Sequence, residues 1–149
     1  MREVRRLALV QRQALIARIA RQQALRGLAK ALEDEARSRA LAERSHALLA
    51  AIASQPGATS GGALAEREAF AASLAKLARQ ANAAAQDAAR QSEWQAETLA
   101  KAELRAERMA ERAGQARMAV VQARDRRAAA DEAGAQPGAR GLARKLHNS

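Results

Sequence analysis

The chain has 149 residues, a formal net charge of +10 at pH 7 and no cysteine, which excludes disulfides and thiolate metal sites. Alanine supplies 44 residues, whereas Phe and Trp occur once each and Tyr is absent, so the composition favours helices and excludes a protein built on a β-sheet. Few large side chains are available for a compact core. We therefore expect a thin, elongated all-α molecule that buries a narrow strip.

The first 23 residues, MREVRRLALVQRQALIARIARQQ, are rich in Arg and contain one acid, Glu3. Polar residues interrupt their apolar run, which does not fit a secretory signal. A mitochondrial presequence is usually Ser-rich, and the first serine here is Ser38. The longest uncharged run, 45–65, contains Pro56 and glycines and is unsuited to one membrane-spanning helix. We expect a soluble cytoplasmic protein.

The first helix is predicted over residues 3–54. Pairs of Glu and Arg four residues apart, Glu33 with Arg37 and Glu35 with Arg39, mark its solvated face. Its apolar stripe follows the period of an α-helix. The residues of this stripe are Val4, Leu7, Val10, Leu25, Leu28, Leu32, Leu41 and Leu48.

Residues 55–62 are predicted to form a turn. Pro56 disfavours helix at the residue before it, and Gly57, Gly61 and Gly62 tolerate a positive φ. No other segment before Gly134 has a comparable cluster of helix breakers. The chain is therefore expected to fold back here as a long antiparallel two-helix coiled-coil hairpin over residues 1–135.

The second, longer helix is predicted over residues 63–133. Two stretches in it carry hydrophobic residues alternately three and four apart, as in a coiled-coil seam. The first stretch is Phe70, Leu74, Leu77, Ala81, Ala84 and Ala88, and the second is Leu99, Ala102, Ala106, Met109, Ala113, Ala116, Val120 and Ala123. The eleven residues from Ala88 to Leu99 predict a stutter between the stretches, a local unwinding of the supercoil.

A turn centred near residue 58 places Arg2 opposite Gln115. The segment from Gln115 to Glu132 is then expected to lack a partner in the first helix, so that it frays or binds something. Residues 134–149 contain glycines, Pro137 and only basic charges, and are predicted to be a disordered tail.

The charge is uneven, because residues 1–32 hold eight Lys or Arg against one acid and the tail adds three more basic residues. A hairpin brings both segments to one end. This pattern indicates an acidic partner, such as a protein pore or groove, RNA or an anionic membrane. A merely solvated Arg-rich surface is the alternative. The candidate partner-binding residues at this end are Arg117, Met118, Val121 and Arg124.

Trp94 is a second candidate. It shares a helix face with Lys101, Arg105, Arg108 and Arg112, and an aromatic beside basic residues is typical of an interface. In the alternative interpretation, the stutter rotates Trp94 onto a thin part of the hairpin core.

Nothing in the sequence favours catalysis. The two histidines, His46 and His147, are far apart, and no cluster has the spacing of a metal site. The glycines of the turn lack the Lys and Ser or Thr of a phosphate-binding loop. We expect neither an enzyme nor a bound cofactor.

The chain combines two long helices, an early turn, a basic tail and a lone Trp within QSEWQAETLAKAELRAERMAERA. In these features nearly the whole chain resembles the FliJ family of flagellar export proteins. The resemblance lies in architecture and composition. It implies a soluble component of the bacterial type III export apparatus, cytoplasmic or peripheral at the inner membrane. Members act as a stalk whose terminal end enters the export ATPase ring, while other surfaces touch the export gate and substrate chaperones.

Two other classes stay open. A basic hairpin that binds RNA or the ribosome would explain the arginines, although the chain lacks the aromatics that stack on single strands. A structural coiled coil that associates through its unpaired end would explain the seam.

Overall fold

A computed structural model describes residues 1–55, 57 and 60–135. It contains two α-helices, α1 over Arg2–Ala53 and the longer α2 over Gly61–Ala135, and no strand among the described residues. The helices pack against each other in opposite directions. The predicted all-α hairpin with a longer second helix is confirmed.

The contacts divide the chain into two compact units. One unit, Ala20–Glu103, contains the turn and is called the turn unit. The other, Met1–Ile19 with Leu104–Ser149, is called the terminal unit and is described as far as Ala135. Each unit contains a segment of both helices.

Ser60 begins α2 as its N-cap. The Ser60 Oγ accepts a hydrogen bond from the Ala63 N–H at 3.2 Å, which satisfies one of the free donors of the first turn. Gly61 and Gly62 belong to this helix, and no described glycine has a positive φ. Of the predicted turn, Pro56, Ala58 and Thr59 lie outside the described residues, as does the predicted tail from residue 136 onward.

The seam of α2 follows one unbroken alternation of three and four residues, and no stutter is present. Between Ala88 and Leu99 the seam passes through Ser92, which is buried, and Gln95, which is half-buried. The full set of buried or half-buried seam residues is Arg67, Ala71, Leu74, Ala78, Ala81, Ala85, Ala88, Ser92, Gln95, Leu99, Ala102, Ala106, Met109, Ala113, Ala116, Val120 and Ala123. The predicted second stretch is therefore correct in every member.

The predicted first stretch is wrong by one helix position in half of its members. Phe70, Leu77 and Ala84 are exposed, and small residues at the next position, Ala71, Ala78 and Ala85, take their place on the seam. The prediction assigned the largest side chains to the contact line. In the structure, small side chains occupy most of that line beside the buried Leu74, and Phe70 and Leu77 lie at its margin.

The same inversion occurs in α1. Val4, Leu25, Leu32, Leu41 and Leu48 of the predicted stripe are about half exposed, whereas Leu7, Val10 and Leu28 are half-buried. The residues that α1 buries most are small, namely Ala17, Ala24, Ala31, Ala42 and Ser45. Small residues let two backbones approach closely, at the cost of little apolar area buried per contact.

Polar side chains lie on the seam of the turn unit. The Ser92 hydroxyl lies 2.6 Å from Glu35 Oε2, where it donates across the hairpin, and 2.9 Å from the Ala89 carbonyl, which competes for its one proton. The other carboxylate oxygen, Glu35 Oε1, accepts from Arg39 Nη2 at 2.7 Å. The Glu35 side chain is only 16% exposed, so both partners offset the cost of burying its charge.

Arg67 of α2 closes the end of α1. Its Nη2 donates to the carbonyl oxygens of Ile52 at 2.6 Å and Gln55 at 2.7 Å. The last carbonyls of a helix have no partner within the helix and carry a partial negative charge, so a guanidinium is suited to this place. This contact joins the two helices next to the turn.

In the terminal unit the most buried residues are apolar, and Val120 is the only large one among them. They are Ala17, Ala106, Ala113, Ala116 and Val120. The expected unpaired segment starts later than predicted, because Val120 is buried and Ala123 half-buried, whereas every residue from Arg124 to Ala135 is exposed.

The pairing of the helices explains this shift. Residues 3–13 of α1 line one groove together with residues 112–119 of α2. Gln115 therefore lies opposite the middle of this α1 segment rather than opposite Arg2.

Candidate partner-binding surfaces

The described part of the terminal unit contains twelve arginines against six acidic residues, whereas the turn unit contains eleven basic residues against ten acidic ones. Nearly all of the excess positive charge of the described residues therefore belongs to the terminal unit. Acidic and basic groups nearly cancel in the turn unit.

The arginines of the terminal unit lack close carboxylate partners. Among the described residues, three Arg to carboxylate ion pairs occur, Arg37 with Glu33, Arg39 with Glu35 and Arg90 with Asp87, and all three belong to the turn unit. Glu3 forms the one ion pair seen in the terminal unit, with the amino group of Met1 at 3.7 Å. The guanidinium groups are thus available to bind an acidic partner.

Glu3 lies in the groove that both helices of the terminal unit line, together with Arg6, Val10, Gln13, Arg112, Gln115, Ala116 and Ala119. A hydrogen bond from its own backbone N–H lowers the pKa of Glu3, and the positive charges of the amino terminus and of Arg127 lower it further. The carboxylate therefore stays ionised in a groove rimmed by arginines.

Large apolar side chains are exposed on the same unit. On α1 they are Val4, Leu9, Leu15, Ile16 and Ile19, and on α2 they are Leu104, Met118 and Val121. Arginine and aliphatic residues on one surface are typical of protein interfaces. Of the residues predicted at this end, Arg117, Met118, Val121 and Arg124 are all exposed.

Trp94 and Lys101 are exposed in the turn unit, and Arg105, Arg108 and Arg112 are exposed in the terminal unit. Trp94 is 57% exposed, so the alternative in which it covers the hairpin core is wrong. That alternative depended on a stutter, which the structure does not contain. The hydroxyl of Thr98 donates to the Trp94 carbonyl within the helix.

The sequence analysis missed an apolar patch in the turn unit. Leu41 and Leu48 occupy one heptad position of α1, and Phe70 and Leu77 occupy the equivalent position of α2, so that all four border the same side of the antiparallel seam. Each is about half exposed. Periodicity assigned these residues to the seam. Their exposure could be found only once the packing of small residues was known.

No group of three or more His, Cys, Asp or Glu side chains that could hold a metal ion occurs in the described part of the chain. Neither helix contains, within the residues described, a stretch long and apolar enough to cross a bilayer. Comparison of the chain with protein-family models, curated proteins and solved structures finds no match.

Proposed function

We propose that the protein works by binding other proteins through its exposed helix faces, as a stalk-like component of the bacterial flagellar export apparatus. The observation that carries the proposal is the terminal unit, whose described part contains both exposed aliphatic side chains and twelve arginines that have no close carboxylate partner among the described residues. In this proposal the terminal unit enters the ring of the export ATPase, in the cytoplasm or at the inner membrane.

The aliphatic residues favour a protein partner over a nucleic acid. Contacts to phosphate need cations, and non-specific binding of single strands also uses aromatic side chains that stack on bases. The large apolar residues that are exposed among the arginines of α2 in the terminal unit are instead the aliphatic Leu104, Met118 and Val121. Burial of these side chains would sustain binding when salt screens the charges.

The direct test is ATP hydrolysis by the export ATPase with and without this chain. We expect stimulation at physiological salt and its loss in Met118→Gln with Val121→Gln, which removes apolar surface from the terminal unit. The matched control is Leu25→Gln with Leu32→Gln, two equally exposed leucines of the turn unit, which should stimulate normally.

Binding to RNA is the competing function, and its salt dependence separates it. The logarithm of its affinity should fall with the logarithm of salt by about 0.7 to 0.9 per phosphate contacted. Steep RNA binding of this kind, together with no effect on the ATPase, would show that the proposed function is wrong.

Trp94 and Lys101 are the proposed contact for the export gate or a substrate chaperone. Because Trp94 is exposed, Trp94→Ala should change the free energy of unfolding by no more than about 0.5 kcal/mol. The loss of an aromatic anchor should weaken binding to such a partner by about 2 kcal/mol. Calorimetric titration with the isolated partner measures the second value, and unchanged affinity would exclude Trp94 from the interface.

A further inference from the structure

The outer face of α1 in the terminal unit carries a second line of residues spaced alternately three and four apart. Its members are Arg2, Arg5, Leu9, Arg12, Ile16 and Ile19, which we call the outer stripe. All six are exposed, and Leu9, Ile16 and Ile19 expose 58%, 61% and 45% of their surface. This spacing is that of a coiled-coil contact line.

The outer stripe is separate from the seam that pairs α1 with α2. In the same segment the seam residues Leu7, Val10, Ala14 and Ala17 are buried or half-buried. A helix with two such lines can pack against one helix on each side. One line has its partner within the hairpin, and the other has none among the described residues.

We propose that the outer stripe binds an acidic amphipathic helix of another protein, which packs on it as a third coiled-coil helix. The aliphatic half of the stripe supplies apolar contacts. The basic half, Arg2, Arg5 and Arg12, requires carboxylates on the partner, because these arginines have no carboxylate within 4 Å among the described residues. Buried unpaired charges would be strongly destabilising, so a neutral or basic helix does not fit.

Other occupants fit the chemistry less well. A second copy would bring together two units that each contain twelve arginines and six acidic residues, and like charges oppose that contact. A helix lying in a membrane surface needs a broad apolar face with cations at its margins. Here Arg12 lies in the middle of the line, between Leu9 and Ile16.

The inference goes beyond the proposed function, because it depends only on the chemistry of the stripe. An acidic helix could bind there whether or not the chain stimulates an ATPase. The test therefore uses a synthetic probe and no export component, so that failure of one proposal leaves the other intact.

The probe is a labelled synthetic helix of about three heptads, with leucines along one line and glutamates beside them. A matched peptide has glutamine in place of every glutamate, and a third has lysine. Fluorescence anisotropy with the full chain should show binding of the acidic peptide at physiological salt, with affinity at least about tenfold above that of either control peptide.

Variants locate the contact. Ile16→Gln with Ile19→Gln should weaken the acidic peptide about tenfold or more, at unchanged helicity by circular dichroism. Leu25→Gln with Leu32→Gln, at comparably exposed positions of α1 in the turn unit, is the matched control and should bind normally. Arg5→Glu with Arg12→Glu should reject the acidic peptide and accept the lysine peptide, an exchange that a mere loss of folding does not produce.

Three results would overturn the inference. The first is equal binding of the acidic and glutamine peptides. The second is self-association of the chain that Ile16→Gln with Ile19→Gln abolishes, which would identify a second copy as the occupant. The third is binding to phosphatidylglycerol vesicles that depends on the same two isoleucines while the acidic peptide fails to bind.

Discussion

In both the turn unit and the terminal unit, α1 and α2 pack along small side chains. The two units differ in whether polar groups form hydrogen bonds between the helices. In the turn unit, directed polar contacts cross the hairpin, from Ser92 to Glu35 and from Arg67 to the end of α1. In the described part of the terminal unit no such hydrogen bond occurs, and the most buried residues are Ala and Val. Polar contacts have preferred geometries, so they select one register, whereas alanine methyl groups discriminate little between registers.

The surfaces differ in the opposite sense. Among the described residues, the turn unit is almost neutral and contains the three Arg to carboxylate pairs, whereas the terminal unit holds arginines without such pairs and exposed aliphatic residues. We infer that the polar contacts of the turn unit define the pairing of the hairpin, and we propose that the terminal unit binds the partner.

The largest effect is expected when a small residue on the line of contact between the helices is enlarged, because both units share this line of small residues. Ala78 in the turn unit is 2% exposed and Ala113 in the terminal unit is 3% exposed, so Ala78→Leu and Ala113→Leu each place a larger side chain in a closely packed position. Overpacking should lower the free energy of unfolding by about 2 kcal/mol in each case. Urea unfolding followed by circular dichroism measures it. Ala110→Leu, at an exposed position, is the control, and a stabilising Ala78→Leu would mean that the helices are not closely packed.

Next comes the contact between Arg67 and the end of α1. Arg67→Ala removes a charged donor from two carbonyl oxygens and should cost about 1.5 kcal/mol. The control is Arg79→Ala, which removes an exposed arginine of the same helix and should cost little. Equal melting temperatures of the two variants would show that the carbonyl contacts add no stability to the turn unit.

The pair of Ser92 and Glu35 tests whether a polar contact selects the register. A double-mutant cycle of Ser92→Ala and Glu35→Ala should give a coupling energy of about 1 kcal/mol, because the hydrogen bond joins a nearly buried carboxylate. The exposed pair of Glu33 and Arg37 is the comparison, and its coupling should be about 0.4 kcal/mol. If the coupling energy between Ser92 and Glu35 is no larger than that between Glu33 and Arg37, the polar contact does not distinguish the turn unit from the terminal unit.

Two glycines, one in each unit, allow the closeness of the helix packing to be compared, with smaller expected changes in stability. A Cβ at Gly114, in the terminal unit, meets no atom within 4 Å, so Gly114→Ala should stabilise by about 0.8 kcal/mol through helix propensity. A Cβ at Gly27, in the turn unit, meets Gln95 Oε1 at 2.8 Å, so that amide must move and Gly27→Ala should gain less. Thermal unfolding of both variants measures the order, and a larger gain at Gly27 would contradict close packing there.

The smallest effect is the pH dependence that Glu3 adds to the terminal unit. Its pKa in the folded chain lies below the ordinary value of 4.5, chiefly because its own backbone N–H donates to the carboxylate. Its contribution is therefore present above about pH 4.5 and is lost as the pH falls through the folded pKa. Melting curves of the wild type and Glu3→Gln should differ at pH 7 and converge in acid; a constant difference would contradict this.

Much of the fold could be predicted from local chemistry. Helix formers fill both arms, and the only cluster of breakers before Gly134 lies between residues 54 and 62, so the two helices and the break between them follow from the sequence. The seam from Leu99 to Ala123 was also predictable, because Leu, Met and Val mark it among the alanines. Trp94, Met118 and Val121, which the sequence indicated as candidate binding residues, are exposed in the structure.

The candidate surfaces were harder to predict. Alanine occurs on every face of α2, so between Phe70 and Ala88 the apolar period fits more than one register. Ser92 and Gln95 look like surface residues in the sequence and lie on the seam. The leucines that periodicity assigned to the seam became candidates for binding only after the packing left them exposed.

The sequence by itself therefore determined the secondary structure, the place where the chain reverses and the concentration of positive charge at the end that holds the termini. These features depend on propensities and charges that each residue carries wherever it lies. Only the tertiary structure decided which side of α1 and of the first part of α2 is buried, because the two helices approach closely where alanine, serine and glycine line their contact and leave larger side chains at the margin. The outer stripe of α1 lies on a different face from the seam of Leu7, Val10, Ala14 and Ala17, so its aliphatic residues are exposed and have no partner helix among the described residues.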